Sequence, residues 1–409
     1  MRSPDSAARP GLASCRPNGA ILYDPQIVPL ADGGIVREAL ADELIPAPPG
    51  TLEMLLPRRA PLTSIEPIAD RQTLAVALPA GYTRLLVPAY AAARNAPPLP
   101  LFGYTFACVV DDNLHVAAMK TDEREDWRPR KFAKGELERV IDERLATEPQ
   151  NRVLQQVALC SLDYACFTAQ NVFLECGEAA LPVSPKCNAR CIGCISEQDA
   201  DAGVPSPQER IAEEAAAGEL AAVALHHLER VDDGIVSFGQ GCEGEPLLRS
   251  TAIAGAIEKI RAVRANGTIN LNTNGSLPPA LRRCIDAGLQ AVRVSLNSFR
   301  PQTYAAYYRP QGYDLERVFD SIRLAVERGI RVSLNLLTHP GVTDEAEEIE
   351  AMEAFLRSTP VWMVQTRTLN IDPARYFEAV GRPRAPLGVR RAIERIAAFS
   401  RVGNFTHTH

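Results

Sequence analysis

Residues 180–194 read Ala-Leu-Pro-Val-Ser-Pro-Lys-Cys-Asn-Ala-Arg-Cys-Ile-Gly-Cys. The apolar run over 180–184 predicts a buried strand. It runs straight into a loop carrying Cys187, Cys191 and Cys194, spaced C-x3-C-x2-C. Three thiolates in one loop are soft ligands, suited to an iron–sulfur cluster or to zinc. A structural zinc ion wants a fourth ligand nearby. The closest histidines, His226 and His227, stand far downstream in a predicted helix. A cluster with one iron lacking a protein ligand fits better. Gly193 lets the backbone fold tightly in such a loop.

Outward from this loop the pattern alternates. Further apolar, β-rich runs occur at 233–239, 268–273, 291–297, 331–337 and 361–368. Amphipathic helices are predicted between them. Ser206-Pro207-Gln208-Glu209 has the form of a capping box. Leu315, Val318, Ile322 and Val326 share one helical face behind Asp314. Six strand–helix units predict a parallel sheet with right-handed crossovers. Ligands of such sheets sit at the C-terminal strand ends. No GxGxxG and no Walker A sequence opens the first unit. An open doubly wound sheet and a full or partial barrel all satisfy this pattern; with the resemblance described below, the expected fold is α/β, a partial (β/α)6 TIM-like barrel over 178–400 preceded by a smaller α+β domain over 21–177.

Before residue 180 the chain is irregular and proline-rich. Residues 103–120 predict a hairpin turning at Asp111, Asp112 and Asn113. Residues 134–147 predict a helix, and 153–176 fit helix or strand equally. Residues 1–20 and 401–409 are expected to be tails. The N-terminal stretch has no apolar middle of a signal peptide, no apolar run reaches 18 residues, and a cytoplasmic chain is expected. The net charge of −6 speaks against nucleic acid as the main partner. Ten cysteines in 409 residues do not suggest a disulfide scaffold. Cys284 reads as core. Cys160, Cys166 and Cys176 read as buried thiols, with a second cluster including Cys242 as the alternative.

Several segments together resemble the radical S-adenosylmethionine (SAM) superfamily over roughly 180–380. Cys187, Cys191 and Cys194 match its CxxxCxxC, which implies a [4Fe–4S] cluster with SAM on the fourth iron. Reductive cleavage of SAM then gives a 5′-deoxyadenosyl radical that abstracts hydrogen from an organic substrate. Gly244-Glu245-Pro246 resembles the GGEP segment, which implies that Gly244 and Glu245 receive the methionine amino group. Asn272-Thr273-Asn274-Gly275 resembles the TNG segment, making Asn272 and Asn274 cofactor candidates. Ser295-Leu296-Asn297-Ser298 resembles the segment reaching the ribose, through Ser295 and Asn297. Leu337 matches the apolar neighbour of the adenine.

Around these, Arg300 and Arg309 are candidates for a substrate carboxylate or phosphate. Gln365, Arg367 and Asn370 are candidates for the substrate side, because so polar a strand is unusual within a parallel sheet. Cys242 is a candidate redox or substrate-contacting thiol. The implied partners are a small-molecule or peptide substrate and an electron donor such as flavodoxin or ferredoxin. Two other readings stay open: an activase or cofactor-maturation protein acting on a partner, and a non-catalytic zinc or iron–sulfur protein.

Overall fold

The computed structural model describes residues 9–123, 132–264, 266–368 and 370–405. His407 and His409, given no role above, lie outside them. Seven parallel strands follow one another in chain order. They are β1 (Glu178–Leu181), β2 (Ile235–Phe238), β3 (Thr268–Thr273), β4 (Ala291–Leu296), β5 (Arg331–Thr338), β6 (Met363–Thr368) and β7 (Arg401–Gly403). Helices cover the outer face between them, among them Ala217–Arg230, Ser250–Val263, Leu315–Glu327 and Ala346–Ser358. This is the expected partial barrel with one short strand more. Residues 401–403 were expected to be tail; they pair with β6 instead.

The two faces of the sheet differ in chemistry. Phe238, Leu271, Val294, Leu334 and Val364 point outward into the core shared with the helices. The alternate residues point into the lumen and are mostly polar, with Ile235, Ala291 and Leu337 among the exceptions. Glu178 of β1 forms an ion pair with Arg293 of β4 at 2.7 Å. Strands one and four are not neighbours, so this pair crosses the lumen. Ser237, Asn270 and Asn272 join it by hydrogen bonds. The lower lumen is nearly filled. It retains a cavity of about 20 Å³ among Asn270, Arg293, Ser333 and Gln365, room for about one water.

Solvent access returns toward the C-terminal strand ends. Asn272, Ser295, Asn335, Leu337 and Arg367 are half-buried, alternating with buried neighbours that face the helices. The open end of the lumen therefore lies where parallel α/β folds place their ligands.

The segment before the barrel begins as an antiparallel sheet. Gly11–Cys15 is a fully buried strand within it, so the expected tail over 1–20 is corrected there. Thr105–Val110 and Asn113–Lys120 form the predicted hairpin, with Asp111 and Asp112 at positive φ. The ambiguous stretch 153–176 resolves into helices Arg152–Leu162 and Phe167–Leu174, packed into the barrel core. Among the described residues no single helix is long and apolar enough to cross a membrane. The antiparallel sheet rests on the outer face of β6. Thr83 and Thr366 hydroxyls lie 2.6 Å apart, and Gly81 N donates to Asn404 Oδ1. Arg59 and Asp372 add a buried ion pair at 3.1 Å.

The capping box expected at Ser206 is not one. Ser206 Oγ accepts from Gln198 N, and the helix starts at Ala217. There Glu219 turns back to accept from Ala216 N.

Candidate active site

The cysteine loop hangs between two supports. Below it, Gly244 N donates to Ser184 O at 2.7 Å and Glu245 N donates to Lys186 O at 2.9 Å. Above it, Arg190 N and Ile192 N donate to the carbonyls of Tyr308 and Tyr307, each at 3.0 Å. Gly244 is glycine for a spatial reason. A β-carbon there would stand 2.1 Å from the Lys186 carbonyl oxygen. Gly193 is constrained likewise, since a β-carbon at that position would stand 2.8 Å from Tyr307 Oη.

Two buried glutamates lock the strand ends together. Glu243 Oε2 accepts from Val183 N and Ser184 N, at the root of the cysteine loop. Its Oε1 accepts from Gly239 N and Gln240 N, at the end of β2. Glu245 accepts from Leu247 N, Thr273 Oγ1 and Asn274 N, joining the β2 turn to the end of β3. Burial pushes both carboxyls up to about 7, while their donors pull the other way. Asn274 also donates to Asn188, inside the cysteine loop, at 2.9 Å.

Cys187, Cys191 and Cys194 are unbridged and half-buried. Burial pushes the Cys187 thiol up to about 11 and the Cys191 thiol well up, and the neighbouring sulfurs add to both. Arg210 Nη2 lies 3.4 Å from Cys194 Sγ. A sulfur set in which burial and neighbouring sulfurs disfavour ionisation of Cys187 and Cys191 is suited to a cationic centre, which removes that penalty. Among the described residues, no three Cys, His, Asp or Glu side chains converge on one ion's position. A [4Fe–4S] cluster needs no such convergence, because each thiolate takes its own iron. The donor set, three soft sulfurs and no fourth protein ligand among the described residues, fits that cluster with one iron open.

The other candidates separate into groups. Asn272, Ser295 and Leu337 line the open lumen. The Ser295 hydroxyl forms no hydrogen bond among the described residues, and Asn272 is tied by its amide to Phe238 O and Gly239 O. The Glu245 and Asn274 side chains are already engaged as described. Asn297 is fully buried and donates to Tyr376 Oη at 3.1 Å. Gln365 and Arg367 face the lumen, and Asn370 is exposed. Arg300 and Arg309 are committed to Glu347 and Asp199, at 2.8 and 2.9 Å. Cys242 is corrected as a substrate-contacting thiol: it is buried beside Cys160 on the helix Arg152–Leu162, outside the barrel, and the contact with Cys160 and burial push it up. Glu243, Asn188 and the Glu178–Arg293 pair were missed. Arg293 alone left a signal, a charge inside the apolar strand Ala-Val-Arg-Val-Ser-Leu.

Residues 181–352 match the family model described as the radical SAM superfamily. The chain carries a radical SAM domain. Superfamily members use a [4Fe–4S] cluster and SAM. Among curated relatives, the GTP 3′,8-cyclase of Peptoclostridium acidaminophilum is 28% identical over 197 residues, which cover 48% of this chain and 55% of that protein. The FeMo cofactor biosynthesis protein NifB of Klebsiella pneumoniae is 25% identical over 197 residues, covering 44% and 42%. The chain thus spans about half the length of the curated relatives it matches. Among solved structures, a radical SAM methyltransferase from Sphaerobacter thermophilus superposes with a TM-score of 0.40 at 18% identity, covering 55% of this chain and 65% of that one. The radical SAM domain begins at the end of β1 and contains the whole cysteine loop.

Proposed function

We propose that this chain is a radical SAM enzyme whose cluster is held by Cys187, Cys191 and Cys194. The observation that carries the reading is the triad's place: it follows β1 and hangs over the open, polar end of a parallel barrel. When bound, the cluster and SAM supply a 5′-deoxyadenosyl radical that abstracts hydrogen from a substrate.

The chain's own residues hold and shield that chemistry. Gly244 admits the Lys186 backbone and so sets the height of the cysteine loop. Glu243 fixes that loop against β2, and Glu245 fixes β2 against β3. Ser295 presents an uncommitted hydroxyl for the ribose, and Leu337 an apolar surface for the base. The backbone of the Gly244–Glu245 turn, with its side chain already committed, is left to meet the methionine amino group. The electron comes from a small carrier such as flavodoxin or ferredoxin, which places the protein in the cytoplasm.

The NifB relative is named for the biosynthesis of a cofactor. That supports cofactor assembly as a second reading of the overall role, built on the same site. Metal analysis tests the shared core. About four irons and four sulfides per chain are expected after anaerobic reconstitution. About one zinc and no sulfide, with Cys187→Ala losing that zinc, supports the structural-zinc reading instead.

A further inference from the structure

Among the described residues, the upper lumen contains a guanidinium with no charged partner. Arg293 is neutralised by Glu178. Arg367, on β6, donates from Nη1 to Asn404 O at 3.0 Å and from Nη2 to Gln365 Oε1 at 2.8 Å. Both acceptors are uncharged. Among the described residues no Asp or Glu forms an ion pair with it. The guanidinium is enclosed by protein, while the residue as a whole is partly exposed. Burial and the nearby Arg293 push it down to about 10, against longer-range pull from Glu178 and Asp122.

A charge removed from water without a counter-charge is costly. A structural tie to Asn404 O needs only one neutral donor. A guanidinium carries five N–H groups in a planar fork, and the two bonds above leave three. Gln365 is fully buried, so the fork is held in a preset orientation. Asn335 and Gln365 are register partners one step below the pair Leu337 and Arg367. The Asn335 side chain forms no hydrogen bond among the described residues: its Oδ1 is buried without a donor, and its NH2, the end an anion would meet, donates to no described group. A fixed cation and an unused amide thus face the same end of the lumen.

We infer that Arg367 seats an anionic group of the substrate, a carboxylate or a phosphate, with the Asn335 amide beside it. Calling that ligand the substrate rests on the radical reading above; the anion seat itself does not. Gln365 is a positioning residue for the fork.

The test uses anaerobically reconstituted wild-type protein and two probes, inorganic phosphate and acetate, at constant ionic strength. Phenylglyoxal labelling of arginines is followed by peptide mass spectrometry. At least one probe should slow labelling of Arg367 by roughly tenfold, the scale of a charge-assisted fork contact, and leave the exposed Arg384 unchanged. Equilibrium dialysis of that probe should show about tenfold weaker binding to Arg367→Gln and an intermediate value for Arg367→Lys. Labelling of Arg367 that ignores both probes overturns the inference, and this arm needs no variant to fold. Equal probe binding by wild type and a folded Arg367→Gln also overturns it. SAM alone shielding Arg367 and displacing the probe gives the seat to the methionine carboxylate, which overturns the substrate assignment. Shielding by the probe in a protein that releases no 5′-deoxyadenosine leaves the anion seat standing and removes the radical reading instead.

Discussion

Gly244 and Glu243 decide whether the cysteine loop can sit where it does. A β-carbon at 244 meets the Lys186 carbonyl at 2.1 Å, and that carbonyl accepts the next N–H along. Gly244→Ala is expected to cost about 1–3 kcal/mol, read by urea unfolding of the apo chain. It should also lower the iron retained after desalting, because it displaces Cys187. Glu243 accepts four backbone N–H groups from two segments. Glu243→Gln turns an amide group toward two of those donors and should cost about 1–3 kcal/mol. A loss below measurable size would show that the clamp is dispensable. The triad was legible because ligand spacing is local. Glu245 was not, because a glutamate after a strand reads the same whether its carboxylate faces the lumen or backbone N–H groups. Those donors come from distant stretches, and only the folded chain brings them together. Cys242 failed for the same reason: one step along the turn sends its side chain to the far side of the sheet.

At the scale of elements, β6 shows what the sequence pattern blends together. In the sequence its polar residues are candidates for the substrate side. Both faces have a use: Gln365 and Arg367 face the lumen, while Thr366 meets Thr83 of the antiparallel sheet. The strands β1 to β6 were readable in order because each is a periodic run between helices. The strand β7 was not, since Arg401–Gly403 is too short to show a period. The helix expected from Ser206 starts at Ala217 instead, and the Ser206 hydroxyl accepts from Gln198 N. The join between the antiparallel sheet and the barrel makes its own prediction. Asp372 is buried and accepts from Arg59, Leu99 N and Ala374 N. Arg59→Ala leaves a buried carboxylate without its counter-charge and should cost about 3–5 kcal/mol in denaturant unfolding. A loss under about 1 kcal/mol, the size of an exposed pair, would show that the two parts are joined without this contact.

The whole molecule is a barrel closed below and open above. The ion pair of Glu178 and Arg293 and its amide neighbours plug the lower lumen, while the triad, Ser295, Leu337 and Arg367 gather at the open end. The antiparallel sheet covers the outside of β6, where Thr83 meets Thr366. Chelating the iron should remove more than activity. The free energy of binding the centre would be lost, and the apo chain should unfold at a lower temperature than the reconstituted one. Equal melting temperatures in the two states would argue that no centre binds there. Everything at the open end depends on Cys187, Cys191 and Cys194 holding the cluster that cleaves SAM. The most direct test is the 5′-deoxyadenosine released when anaerobically reconstituted protein is given dithionite and SAM. Release by the wild type and none by Cys187→Ala is the expected result. No release from a wild type fully loaded with iron and sulfide, or equal release from the variant, would contradict it.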